Sequence, residues 1–135
     1  LLAFSALVDQ VKSGEDGYAL ARPLVFEAHH VTELALKART LRHDAAFQSE
    51  LPPSGHDLRR LLVAERARNG ERSDSSAWED AFVSMLDAAW QAGRYPVGVG
   101  GLALHDEWCC FDAEALSDAV LTFLHVLTDD QRPSP

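Results

Sequence analysis

The chain predicts an all-α fold: an antiparallel up-and-down helical bundle of four to five helices, with an irregular or hairpin insertion at about 94–111. Three observations carry this. Apolar residues recur at three- and four-residue steps over almost the whole chain, helix-starting residue types stand before those runs, and turns of a few to a dozen residues separate them. Each apolar stripe must be buried against another, and short connections favour antiparallel neighbours. A length of 135 residues, 47% of them apolar and 24% charged, corresponds to about one globular domain with one core. No repeat or boundary divides it, so residues 1–135 are read as a single domain.

A short helix occupies residues 1–12. The second begins near residue 21 and runs to about 46, before Pro52-Pro53. Its stripe is Leu20, Leu24, Ala28, Val31, Ala35 and Ala38, which fall within an arc of about 80° at 100° per residue. Pro23 suits its first turn, where a missing N–H costs nothing, and Glu33 with Lys37 makes a favourable i,i+4 pair. Ser54 with Asp57 three residues later resembles a capping signature for a third helix, whose stripe is Leu58, Leu61 and Leu62 and whose stop is Gly70. Ser76 and Glu79 make a second capping box, with Trp78, Phe82, Met85, Leu86 and Ala89 on one face and a stop at Gly93. Asp112 caps the last helix, stapled by Phe111 and Leu116, with Leu116, Val120, Phe123, Leu124 and Leu127 on one side. Within 94–111, Pro96, Gly98, Gly100 and Gly101 preclude a stable helix. Leu102-Ala103-Leu104 and Trp108-Cys109-Cys110-Phe111 are suited to a hairpin around His105-Asp106, and Trp108 and Phe111 suit an interface as well as packing onto the bundle.

The formal net charge of −9 opposes tight, sequence-independent binding to a phosphate backbone. All of the excess is C-terminal. Residues 1–73 hold ten acids and ten Lys or Arg, whereas 74–135 hold eleven acids against Arg94 and Arg132 alone. Arg59, Arg60, Arg66, Arg68 and Arg72 make the middle locally basic. Either both regions are solvated helix faces, or the acidic half of one subunit docks on the basic stretch of another. No apolar run approaches the roughly 18 residues of a membrane span. Cys109 and Cys110 are adjacent, with no CxxC pair and no further cysteine. Two free thiols, no disulfide framework and no zinc site are expected, in keeping with a cytoplasmic location. Leu1-Leu2-Ala3-Phe4 lacks the basic region of a secretory signal, and with Met85 as the only Met the natural start is expected to lie upstream.

Glu27, His30 and Glu33 stand at three-residue intervals, the Glu-x-x-His spacing of carboxylate di-metal bundles. A second such motif is lacking, so neither a metal nor another cofactor is expected. Glu27 falls inside the apolar arc, and burial would require a partner, with His56 or Arg60 on the next helix as candidates. Arg22 and His29 lie within roughly 20° of each other around the second helix and two turns apart along it. As catalytic candidates, the arginine would hold a phosphate while the histidine moves a proton; the alternative is that both are solvated. No nucleophile elbow, phosphate-binding Gly-rich loop or Rossmann fingerprint is present, since Gly98-Val99-Gly100-Gly101 follows no strand-to-helix turn. Nothing basic flanks Cys109-Cys110, which reads as packing rather than as a nucleophile.

The run Ala28-His29-His30-Val31-Thr32-Glu33-Leu34-Ala35-Leu36-Lys37-Ala38, followed by Gly55-His56-Asp57-Leu58-Arg59-Arg60-Leu61-Leu62, resembles the HEPN superfamily. These small helical domains often carry an A-x-E-L-x-L-K-A-like helix and then a G-H-D-L that opens the next. Arg94-Tyr95-Pro96 before a final amphipathic helix is also similar to that family, and the resemblance spans roughly residues 18–128. It implies an up-and-down bundle, usually a homodimer, of prokaryotic nucleotide- and RNA-linked systems such as toxin–antitoxin and minimal nucleotidyltransferase pairs. Active members are metal-independent endoribonucleases whose Arg-x4-6-His motif lies toward the C-terminal helix and faces the dimer mate. Here that motif is missing: ten residues separate Arg94 from His105, and no arginine precedes His125 at the required distance. Arg22 and His29 satisfy the spacing on a different helix.

Two functional expectations follow. The first is a non-catalytic, dimeric HEPN-like binding or accessory module that takes a protein or nucleotide partner, a nucleotidyltransferase-type protein being one candidate; the net charge does not support RNA or a nucleotide, and no membrane is involved. Glu33, Lys37, His56 and Asp57 are its binding residues near the inter-helix groove; their structural reading is a surface ion pair and two helix-start residues. The alternative is a metal-independent endoribonuclease using Arg22 and His29, or a composite arrangement across the dimer.

Overall fold

The computed structural model describes residues 1–14, 17–43, 55–69, 76–94 and 112–129. Within them are α1 (Leu2–Lys12), α2 (Gly17–His43), α3 (Leu58–Asn69), α4 (Ser76–Arg94) and α5 (Ala113–Asp129), and no strand. The all-α bundle that the periodicity predicts is what forms. Among the described residues no helix is long and apolar enough to cross a membrane. The connecting hairpin expected within 94–111, with Cys109, Cys110 and Phe111, lies outside the described residues, as do Ser54, Gly70 and the side chain of Ser76.

Helix α2 is central. It packs against each of the other four, while α3 also meets α4 and α1 meets α5. The core draws Phe4 and Val8 from α1, Leu24, Ala28 and Leu36 from α2, Leu58 and Leu62 from α3, Phe82 and Leu86 from α4, and Val120 and Phe123 from α5. Enclosure on several sides makes α2 bury more than one stripe. Leu36 and Thr40 are fully buried, whereas Ala38, expected in the stripe, is exposed. Thr32 and Thr40 satisfy their buried hydroxyls by donating to the carbonyls of Ala28 and Leu36, each at 2.8 Å.

Several boundaries differ from expectation. α2 starts at Gly17 rather than near 21, so Pro23 stands in its second turn. The added turn brings the partly buried Leu20 alongside Ala21 and Leu24, and that burial offsets the backbone bond that proline cannot make. Asp57 itself caps α3, with Oδ1 accepting the Arg60 N–H at 2.9 Å, so it is not the third-position partner of Ser54. Asp112 caps α5 as predicted, accepting from Ala115 N–H at 3.0 Å. The inner face of α4 is rotated. Glu79, Phe82, Val83 and Leu86 are buried, while Trp78 and Met85 are exposed. The reason is electrostatic as well as apolar: Glu79 turns inward to Arg66 of α3, 3.0 Å away. α4 also continues one residue past Gly93.

Contacts run in opposite senses along α3 and α4, Leu58 and Arg59 meeting Asp87 while Arg66 meets Glu79 and Asp80. Along α2 and α3 they ascend together, Glu33 with His56 and Arg39 with Glu65. The N-terminus of α3 therefore sits beside the middle of α2, and the polar residues of both helices converge there.

Candidate functional site

On α2, His29, Glu33 and Lys37 follow one another at four-residue steps and share one face. That face looks onto the start of α3 and the C-terminal half of α4. Glu33 is 4% exposed, so it is not half of a surface pair. Its Oε1 accepts from Lys37 Nζ, and its Oε2 accepts from His56 Nδ1 at 3.0 Å. Burial by itself would raise the Glu33 pKa, but hydrogen bonds from Lys37 and His56, with their charges, outweigh it and hold the carboxyl below its ordinary value. Glu33 is thus an ionised carboxylate at the floor of a groove.

His29 is 1% exposed, which removes the solvated alternative. Its Nε2 lies 3.1 Å from Asp87 Oδ1 on α4, and its ring stacks on Trp90 at 4.8 Å between centroids. Asp87 Oδ1 also accepts the Leu58 N–H at 3.1 Å, and Oδ2 accepts the Arg59 N–H at 3.1 Å. Asp87 accepts both amides, and an acceptor-only carboxylate is matched by the His29 tautomer that carries its proton on Nε2. Asp87 is a second cap on α3, supplied from a different helix. His56 tilts against the same Trp90 at 6.0 Å.

A cavity of about 730 Å³ opens beside this network, bounded by α1, α2, the start of α3 and α4. Arg22, Glu27, His29, His30, Glu33 and His56 line it, with Leu7, Phe26 and Trp90 among its apolar walls. Its size lies in the range of small-molecule sites.

The residues singled out in the sequence are partly brought together. Glu33, Lys37 and His56 form one connected set with His29 beside it, and Arg22 stands exposed on the same cavity. Asp57 does not join: it caps α3 and meets Arg60 at 3.4 Å. His56 pairs with Glu33 rather than with Glu27, and Arg60 with Asp57. Among the described residues no three side chains gather in a metal-holding group; Glu33 faces α3 while His30 is exposed and stacks with Phe26. Asp87 and Trp90 belong to no motif. The buried sequence Glu79, Phe82, Val83, Leu86 would have placed Trp90 on the inner face and Asp87 at its edge, had the period been drawn through Val83 instead of Met85.

No curated protein and no solved structure matches the chain. The family model for the HEPN domain matches residues 15–126, a span that contains all of α2, α3 and α4 and so every residue of the His29–Glu33–His56–Asp87 network. The protein is a member of the HEPN family.

Proposed function

We propose that this HEPN domain, read as a single unit over residues 1–135, is a non-catalytic, dimeric binding or accessory module of a nucleotide- or RNA-linked system in the cytoplasm. One observation carries the reading: Nε2 of His29 is engaged by Asp87, 3.1 Å away, and the ring is enclosed against Trp90. A general acid or base must reach the reacting atom. Here the remaining nitrogen, Nδ1, faces the Glu33 carboxylate at 4.0 Å. A phosphate drawn toward the His29 ring would therefore approach an imidazole flanked by the carboxylates of Glu33 and Asp87. Glu33, Lys37 and His56 then serve as the polar floor of a binding groove, with Asp57 setting the start of α3.

Support for a dimer comes from the charge division along the chain and from the exposed Trp78, Met85 and Leu121 on α4 and α5. A nucleotidyltransferase-type protein is the proposed partner. The test is incubation of the purified protein with RNA in chelator. No cleavage is expected. Cleavage that disappears in both Arg22→Ala and His29→Ala would replace this reading with the metal-independent ribonuclease.

A further inference from the structure

We propose that the cavity between α1, α2 and α4 binds a small organic ammonium carrying an apolar body, anchored on the carboxylate of Glu27. The inference rests on the reading of the domain as a binding module and names the class of ligand. Glu27 projects from α2 into the cavity, is partly buried, and makes no hydrogen bond or ion pair among the described residues. In that respect it differs from its neighbours. Glu33 is saturated by Lys37 and His56, and Asp87 by His29 and the amides of α3. A carboxylate left without a partner beside apolar walls is stabilised by a cation that brings its own apolar surface, because each removes the other from water with the charge compensated.

The surroundings agree in sign and in shape. Lys37 compensates Glu33 and Arg22 stands at the exposed rim, so among the described residues Glu27 is the carboxylate of the cavity wall that no ion pair compensates. Phe26 is 53% exposed and stacks at 6.4 Å on His30, presenting aromatic surface one residue from Glu27, where a cation gains further attraction. Leu7 and Pro23 complete the wall that an alkyl or aryl body would cover. A phosphate or carboxylate ligand would place a second negative charge beside Glu27.

Titration of the isotope-labelled full chain, followed by amide and indole resonances, tests this with four phenyl probes: phenethylammonium, 2-phenylethanol, 3-phenylpropionate and phenyl phosphate. The ammonium is expected to shift Phe26 to His30 and the Trp90 indole N–H saturably, about tenfold more tightly than the alcohol, with the two anions weaker still. Glu27→Gln, nearly isosteric, is expected to abolish the preference of the ammonium over the alcohol. Phe26→Ala, at an exposed position, is expected to weaken both. An anion bound in this cavity as tightly as the ammonium, the absence of saturable shifts at these residues, or an unchanged preference in Glu27→Gln would each overturn the proposal. RNA cleavage that requires His29 would instead remove the module reading and leave the titration to be judged by its own result.

Discussion

Asp87 holds three elements at one point: it accepts from His29 on α2 and from two amides of α3 while itself belonging to α4. Truncation strands a buried imidazole N–H and uncaps a helix. Asp87→Ala is therefore expected to lower stability by about 2–4 kcal/mol, read from urea unfolding, since charge-assisted bonds and caps each contribute on the order of 1–2 kcal/mol. A change within a few tenths of a kcal/mol would show that the three bonds do not persist in solution. Glu33 supplies a pH signature. Its pKa is held below the ordinary 4.5, so the folded state binds fewer protons than the unfolded chain in that range. The stabilisation is complete above 4.5 and is lost as pH falls through the depressed value. Urea midpoints between about pH 3 and 7 should fall more steeply in acid for the wild type than for Glu33→Gln; parallel curves would contradict the assignment. Glu33, Lys37 and His56 were legible in the sequence because they belong to helix-spaced or helix-starting patterns. Asp87 and Trp90 were not, because nothing local marks an acid whose donors arrive from two other helices.

At the level of elements, the buried ion pairs decide how helices meet. Arg39 donates from Nε to Glu65 Oε1 at 2.5 Å and also reaches the carbonyl of Leu127, so one side chain ties α2 to α3 and to the C-terminal turn of α5. Glu65 is fully buried. Removing it alone leaves the guanidinium poorly compensated, and Glu65→Ala is expected to cost about 3–5 kcal/mol by thermal or chemical unfolding. The double replacement Arg39→Met with Glu65→Leu should recover most of that loss, as it removes both charges. Pro23 offers the converse case. It is exposed in the second turn of α2, where it leaves a backbone bond unmade. Pro23→Ala is expected to raise stability by about 1 kcal/mol or more, with a higher midpoint in a thermal melt followed by circular dichroism. An unchanged melt would mean that the helix effectively begins after Gly17, nearer the start that the sequence suggests. The extension of α2 was hidden because a proline marks a preferred start while burial at Leu20 and Ala21 determines the real one.

For the whole molecule, the uneven charge and the exposed apolar residues of α4 and α5 bear on assembly. Light scattering at micromolar concentration should give about twice the 14.8 kDa chain mass, and a single 14.8 kDa species would remove the dimer from the proposed function. Local information was enough to determine that the chain is helical, where most helices lie and which apolar residues of α3 and α5 enter the core. Apolar spacing and caps act over one to four residues, and their energies are written into neighbouring positions. Only the tertiary structure decided the face that α4 turns inward, the saturation of Glu33 and Asp87, the isolation of Glu27 and the cavity between them. Each depends on which helices surround α2, and a polar group's partner is chosen by proximity across helices that lie tens of residues apart in sequence.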